Sequence, residues 1–311
     1  MIEYQGLKMK NIFLTLLVTL TLSTAWAGPM EDAMAAYGRR DYAAVLKIVR
    51  PTAIKGEAWA QSWLADAYVH GQGVVQDYAE AVKWYRLAAQ QGNAIAQSNL
   101  GGLYDTGQGV VQDYAEAFKW YRLAAQQGHA SAQYNLAGLY AKGQGVVQDY
   151  AEVVKWYRLA AQQGHASAQY NLAIAYDKGQ GVVQDYAEAA RLYRLAAQQG
   201  EASAQVNLGI AYDKGQGVVQ DYAEAVKWYR LAAQQGLASA QYNLGLMYGK
   251  GQGAVQDYVK AHSWFNLGAV NGHEGAIKGR DIVAKLMTPQ QISDAQKLAR
   301  DCQAKKLKGC D

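Results

Sequence analysis

The dipeptide Asp-Tyr begins at Asp41, Asp77, Asp113, Asp149, Asp185, Asp221 and Asp257, each 36 residues after the last. A chain copied at so short a fixed period does not gather its apolar residues around one centre. Each copy builds the same supersecondary unit and buries its apolar face on the next copy. The spacing delimits six full units, 57–92, 93–128, 129–164, 165–200, 201–236 and 237–272. Composition fits that origin: 32 glycines stand against 3 prolines and 3 phenylalanines, the skew expected when one motif is duplicated.

The unit 129–164 shows what each copy builds. Ala132, Leu136, Ala137 and Tyr140 fall at helical spacing and predict a first helix with one apolar stripe. Lys142-Gly143-Gln144-Gly145 ends it, since glycine takes the positive φ that closes a helix and turns the chain. Val146 and Val147 are expected to tuck into the core beneath this loop. Asp149 is the predicted N-cap of a second helix, and Glu152 three residues on gives an Asp variant of the capping box. Val153, Trp156, Tyr157, Ala160 and Ala161 carry that helix's apolar stripe, and Gly164 stops it. Small residues (Ala160, Ala161, Ala166, Ala168) let backbones approach while Trp156 and Tyr157 fill the wider gaps. A Trp→Ala change at a fully buried position of this kind is expected to cost about 3–5 kcal/mol.

Both ends depart from the repeat. Residues 28–56 read as an N-terminal cap holding a half repeat, in which 41–56 is a second helix without its first. Pro51 predicts that this helix bends or stops early. Residues 273–311 read as C-terminal capping helices: 273–287 resembles a first helix lacking the Gly-Gln-Gly loop. Thr288-Pro289-Gln290-Gln291 then restarts a helix with Thr as N-cap, Pro in the first turn and Gln at the third position.

Ahead of these, Lys8 and Lys10 precede the apolar run 12–22 and the small-x-small sequence Ala25-Trp26-Ala27. That is the layout of a secretory signal peptide over 1–27, with an apolar run too short to span a bilayer; an uncut membrane anchor is the alternative. Met9 offers a second start, because residues 1–8 add nothing to the signal. Loss of Glu3, Lys8 and Lys10 takes the net charge from +4 to +3. The expected mature protein has no membrane insertion and is periplasmic or secreted. Acids and bases are interleaved with no basic stripe, which argues against a nucleic-acid partner.

The repeated string Ala-x-Ala-Gln-x-Asn-Leu-Gly-x-x-Tyr, Lys-Gly-Gln-Gly-Val, Asp-Tyr-Ala-Glu-Ala, Trp-Tyr and Leu-Ala-Ala-Gln-Gln-Gly resembles the Sel1-like repeat, a relative of the tetratricopeptide repeats. The resemblance covers 57–272, and Thr288-Pro289-Gln290-Gln291-Ile292 is similar to the end of many bacterial members. Departures are small: Ala137 and Ala173 replace the glycine after Leu, and Arg191-Leu192 replaces Lys-Trp. The resemblance implies an all-α fold, a right-handed α/α solenoid of helix-turn-helix repeats. It further implies use in protein–protein interaction, often in exported bacterial proteins of envelope homeostasis, signalling or host contact.

Chemistry of other kinds is thin. Ser-x-x-Lys occurs nowhere, and His273-Glu274 lacks a second His at zinc-protease spacing. His129 and His165 share one repeat position and read as exposed loop residues copied by duplication rather than metal ligands. No catalytic residue, metal or cofactor is expected. Cys302 and Cys310, the only cysteines, suggest a disulfide in an oxidising compartment, with free thiols as the alternative. Their spacing is similar to that of bridges in cysteine-rich members of the family.

Solenoids bind along a concave surface lined by their first helices. Ser131, Tyr134 and Gly138 face away from the apolar stripe, and the middle position varies along the chain as Ser98, Tyr134, Tyr170, Val206 and Tyr242. With Gln133, Gln169, Asn135 and Asn171 nearby, it gives amphipathic aromatic and amide chemistry suited to a protein or peptide partner. Duplication alone, or packing of the tyrosines on neighbouring units, would leave the same pattern. An envelope enzyme or enzyme-like binder of cell-wall material is the rival reading, and a spacer without a ligand the third.

Overall fold

The computed structural model describes residues 28–307 together with Gly309 and Cys310; the proposed signal segment 1–27 lies outside the described residues. The described residues form sixteen α-helices and no strand. They fall into two compact units, divided between His129 and Ala130. The first holds α1 (Pro29–Gly38), α2 (Tyr42–Ile54), α3 (Ala58–His70), α4 (Tyr78–Gln90), α5 (Ala94–Thr106) and α6 (Tyr114–Gln126). The second holds α7 (Ala130–Lys142), α8 (Tyr150–Gln162), α9 (Ala166–Lys178), α10 (Tyr186–Gln198) and α11 (Ala202–Lys214). It continues with α12 (Tyr222–Gln234), α13 (Ala238–Lys250), α14 (Tyr258–Val270), α15 (Glu274–Ala284) and α16 (Pro289–Ala304). The fold class expected from the period, an all-α solenoid of helix pairs, is the one found.

Each pair is built by local signals the sequence states openly. Asp149 caps α8 by accepting from the N–H groups of Ala151 and Glu152 at 2.8 and 3.2 Å. Glu152 does not close a capping box: its carboxylate reaches forward to Lys155 and to the indole N–H of Trp156, at 2.8 Å each. The longer Glu side chain pins the core tryptophan instead of the helix end. At the far end of α9, Gly179 adopts φ 65° and its N–H meets the Ala175 carbonyl. Gln180 N–H reaches the same carbonyl at 3.0 Å, and Asp185 N–H returns to Tyr176 at 3.0 Å. Gln184 then donates to the Asp177 carbonyl and the Tyr186 hydroxyl at 2.6 and 3.0 Å, fixing the loop between the two helices. The final α16 carries the reciprocal box expected of Thr288 and Gln291.

The core of each unit is the alanine and aromatic stripe. Ala132, Leu136 and Ala137 of α7 are buried with Val153, Trp156, Tyr157, Ala160 and Ala161 of α8, whereas Tyr140 is only half-buried and Leu139 takes a core place. Trp264, equivalent to Trp156, is 1% exposed and meets the condition set for a costly Trp→Ala change. At the end of the second unit α16 lies on α14, placing Ala299 and Cys302 in one cluster with Trp264 and Phe265.

Two further expectations fail. Val147 does not tuck beneath its loop: it is exposed, as are Val75, Val111, Val183, Val219 and Val255 at the same position. The turn spends its inward direction on the preceding residue, the half-buried Val146 in this unit and Ala254 in the last, so the second is turned to solvent. Pro51 neither stops nor shortens α2, which runs the same 13 residues as its counterparts. The proline sits in the last turns, where one lost N–H bond ends little helix, and the Thr52 hydroxyl bonds back to Ile48 O at 2.7 Å.

Candidate functional site

The first-helix positions proposed for a partner do not behave alike. Ser98 and Val206 are 5% and 7% exposed and are withdrawn from a contact surface. Tyr134, Tyr170 and Tyr242 are half-buried. The position lies over the second-helix aromatic ring of its own repeat: Tyr134 sits 5.6 Å from Tyr157, Tyr170 6.0 Å from Tyr193 and Tyr242 6.0 Å from Phe265. A short side chain there sinks below the surface, and only a side chain of tyrosine length rises past the packing.

Two of these tyrosines are held on both sides. Tyr134 stacks on His165 at 4.8 Å and Tyr242 on His273 at 4.7 Å. Each histidine opens the following first helix as its N-cap, with Nδ1 accepting from Ala168 N–H at 3.3 Å and from Ala276 N–H at 3.1 Å. His165 is therefore half-buried rather than a loose loop residue, and His129 is half-buried as well. Burial pushes the imidazoles of His129 and His165 below the usual histidine range. Position 201 is Glu instead of His, so Tyr170 lacks a stacking ring and its hydroxyl pairs with Ser203. Behind Tyr134, burial and then the neighbouring Tyr134 push the Tyr157 phenol up to about 12, while Asn171 donates to its oxygen at 3.3 Å.

Of the amides expected beside the tyrosines, Asn135 and Asn171 are half-buried and the glutamines are not on that face. Gln133 and Gln169 are buried, as are Gln61, Gln97, Gln205 and Gln241. In the first unit, Gln127 at the end of α6 donates to Gln97 at 2.7 Å, and Gln97 donates onward to the Ala89 carbonyl at 3.0 Å. In the second, Gln235 donates to Gln205 at 2.9 Å and Gln205 to the Ala197 carbonyl at 3.1 Å. The amide thus ties a helix end of its own repeat to a helix end of the previous one. Arginines do similar work nearer the surface: Arg194 donates to the Tyr212 hydroxyl at 2.7 Å, Arg230 to that of Tyr248 at 2.8 Å. These roles were missed in the sequence because their partners stand 18 or 30 residues away.

The second helix of the fourth repeat departs from its counterparts at two core positions. Leu192 is buried in place of tryptophan, and Ala190 stands where α8 and α12 carry Val154 and Val226. A niche of about 160 Å³ opens beside Ala190, lined also by Asp177, Tyr193, Asn207 and Lys214 among others. Cys302 and Cys310 form a disulfide with Cα atoms 5.2 Å apart. Among the described residues no group of three or more His, Cys, Asp or Glu is arranged to hold a metal ion.

The polar side chains of the repeats thus serve mainly to cap helices and join one repeat to the next, the design of a helix-pair repeat scaffold. The comparisons give the family within that class. The Sel1 repeat model matches residues 60–93, 94–129, 130–165, 166–201, 202–237 and 238–273, and the chain belongs to the Sel1 repeat family. Proteins of this family are generally protein–protein interaction scaffolds. A Sel1 repeat protein from Oxalobacter formigenes is similar at 32% identity and a TM-score of 0.69, over 78% of this chain and 97% of that one. A protective antigen of uropathogenic Escherichia coli with an SLR fold is 30% identical over 91% of this chain and 78% of its own, with a TM-score of 0.40. A sel1 repeat protein of Klebsiella pneumoniae is 25% identical over 65% and 99%, with a TM-score of 0.42. No curated protein matches the chain.

Proposed function

We propose that this chain is an exported, non-enzymatic interaction scaffold that receives a protein or peptide partner on the first helices of its second unit, with Tyr134, Tyr170 and Tyr242 as anchors. The observation that carries the reading is the pair of Tyr–His stacks. A ring already fixed between its own second helix and the next N-cap loses little rotamer freedom when a partner covers it, which is what interface anchors require. Ser98 and Val206 have no part in this face. Export is supported by the layout of residues 1–27 and by the disulfide, which persists in oxidising compartments. No helix of the described residues is long and apolar enough to cross a membrane, which is compatible with that reading.

The test is crosslinked capture from envelope extract, comparing the protein with a variant carrying Tyr134→Ala, Tyr170→Ala and Tyr242→Ala whose fold is verified by circular dichroism. One partner held by the parent and lost by the variant supports the anchors. Equal capture by both refutes them. Export is tested separately by N-terminal sequencing of protein recovered outside the cytoplasm: a chain starting at Gly28 supports it, and an intact residue 1–27 segment refutes it.

A further inference from the structure

The first repeat carries residues that copying does not explain. Trp63 stands where the next five repeats have Asn99, Asn135, Asn171, Asn207 and Asn243. Asp66 stands where they have Gly102, Gly138, Ile174, Ile210 and Leu246. Both line one pocket of about 300 Å³ within the first unit, closed by Tyr37 of α1, by Tyr42 and Val45 of α2, and by Ala67 and His70 of α3. Its aromatic wall is a connected set of edge-on rings, Tyr37 lying 5.8 Å from Trp63 and 5.9 Å from Tyr42.

At this wall sits a half-buried carboxylate. Asp66 Oδ1 accepts from the Tyr85 hydroxyl and from Asn99 Nδ2 at 3.3 Å, both neutral donors. Burial pushes the carboxyl above the usual range, with the Tyr85 hydrogen bond and then His70 pulling the other way. A desolvated anion held by neutral groups gains most from a cation, and aromatic faces attract the same sign of charge. The pocket also lies at the carboxyl end of α3, the negative end of that helix's dipole.

We infer that the pocket formed by Tyr37, Tyr42, Trp63 and Asp66 is a binding site for an organic ammonium group. Ammonium is favoured over guanidinium because a guanidinium fork pairs with both carboxylate oxygens, and Oδ1 already accepts two hydrogen bonds. The volume, at the lower end for ligand pockets, suits one small molecule or one side chain. The ammonium group is therefore that of a free quaternary amine or of a partner's lysine. The site is separate from the tyrosine face of the second unit and stands or falls without it.

The test is calorimetric titration of the full chain at about pH 8, where histidine is neutral. The probes are choline, its neutral carbon isostere 3,3-dimethylbutanol, and N-acetyl-lysine amide. Saturable binding of choline or of the lysine amide, without binding of the neutral isostere, is the expected result; which of the two binds more tightly names the source. Asp66→Asn keeps the oxygen that Tyr85 and Asn99 bond, so the fold is retained while the charge is lost; with Trp63→Leu it should weaken binding roughly tenfold or more. Absence of saturable binding by both cations, equal binding of the isostere, or unchanged affinity in Asp66→Asn overturns the assignment.

Discussion

The sharpest stability prediction concerns the second glycine of the Gly-x-Gly loop. Gly217 adopts φ 71°, and a Cβ built on it would lie 1.9 Å from the Tyr186 carbonyl oxygen and 2.2 Å from its carbon. Those atoms belong to the start of α10, the second helix of the preceding repeat, so the glycine sets how closely successive repeats approach. Gly200, at φ 90°, would place a Cβ in open space. Gly200→Ala therefore incurs only backbone strain, about 1–2 kcal/mol, offset by about 0.4–1 kcal/mol from a stiffer unfolded chain. Gly217→Ala carries the same two contributions plus an overlap with backbone that cannot rotate away, a further ~1–3 kcal/mol. Urea unfolding followed by far-ultraviolet circular dichroism reads the difference: at about 2 kcal/mol per molar, the midpoint of Gly217→Ala should fall below that of Gly200→Ala by roughly 0.5–1.5 M at unchanged slope. Gly253→Ala and Gly181→Ala, whose Cβ would meet Tyr222 O at 2.0 Å and Tyr150 O at 2.1 Å, should behave like Gly217→Ala. If Gly217→Ala and Gly200→Ala unfold at the same denaturant concentration, the close approach does not govern stacking and the reasoning is wrong.

Three further outcomes are expected. Gln205→Ala leaves the Ala197 carbonyl and the Gln235 amide without their partner and should destabilise by about 1–3 kcal/mol, read by the same titration; a neutral result would mean the amide relay contributes nothing. The folded-state pKa values of His129, His165 and His262 lie below the usual value, chiefly through burial. The unfolded chain thus binds more protons as pH falls below about 6.5, and stability should drop from pH 7.5 to pH 5.5. Protonation of His165 at Nδ1 would also remove the acceptor for Ala168 N–H, so His165→Gln should flatten part of that slope in thermal melts; a slope unchanged by the substitution refutes the assignment. Reduction of Cys302–Cys310 releases a loop of sequence separation 8 and should cost about 2–3 kcal/mol, felt as faster hydrogen exchange in α16 with the earlier repeats unchanged.

What could be read from sequence was whatever two neighbours decide. Asp149 before Tyr150 and Gly179 after Lys178 need only their own turn of chain to act as cap and stop, and Thr288 with Gln291 needs three residues. The failures share the opposite property. Val146 and Val147 have equal hydropathy, and the loop's closure back to Tyr140, Asp149 N–H meeting its carbonyl at 3.3 Å, decides which faces outward. Gln133 and Gln169 look like surface amides until their partners, Gln163 and Gln199, come to 2.8 Å from 30 residues away. Ser98 and Val206 share a helical face with Tyr134, and only side-chain length separates buried from half-buried.

The same logic says where in a duplicated chain functional information resides. A residue present in every copy is accounted for by the copying, and the structure finds a packing or capping role for Asp at the N-cap, Gly at the stop and the first-helix Gln in the relay, as it does for the Arg that five of the six copies carry. A position that breaks the copy has no such explanation and must be maintained by its own consequences. Ala190 and Leu192 break it apolar for apolar, and a small niche lies against Ala190. Trp63 and Asp66 break it differently, replacing an amide by a large ring and a glycine or aliphatic residue by a half-buried carboxylate. A desolvated carboxylate opposes folding unless something compensates it, and at this position the five sister repeats carry none; the half-buried Asp105, Asp177 and Asp213 of the second, fourth and fifth repeats stand three residues further along the first helix. For the proposed ammonium pocket, that asymmetry puts the residues that would set its ligand preference in the first repeat, independently of the partner anchors proposed for the second unit.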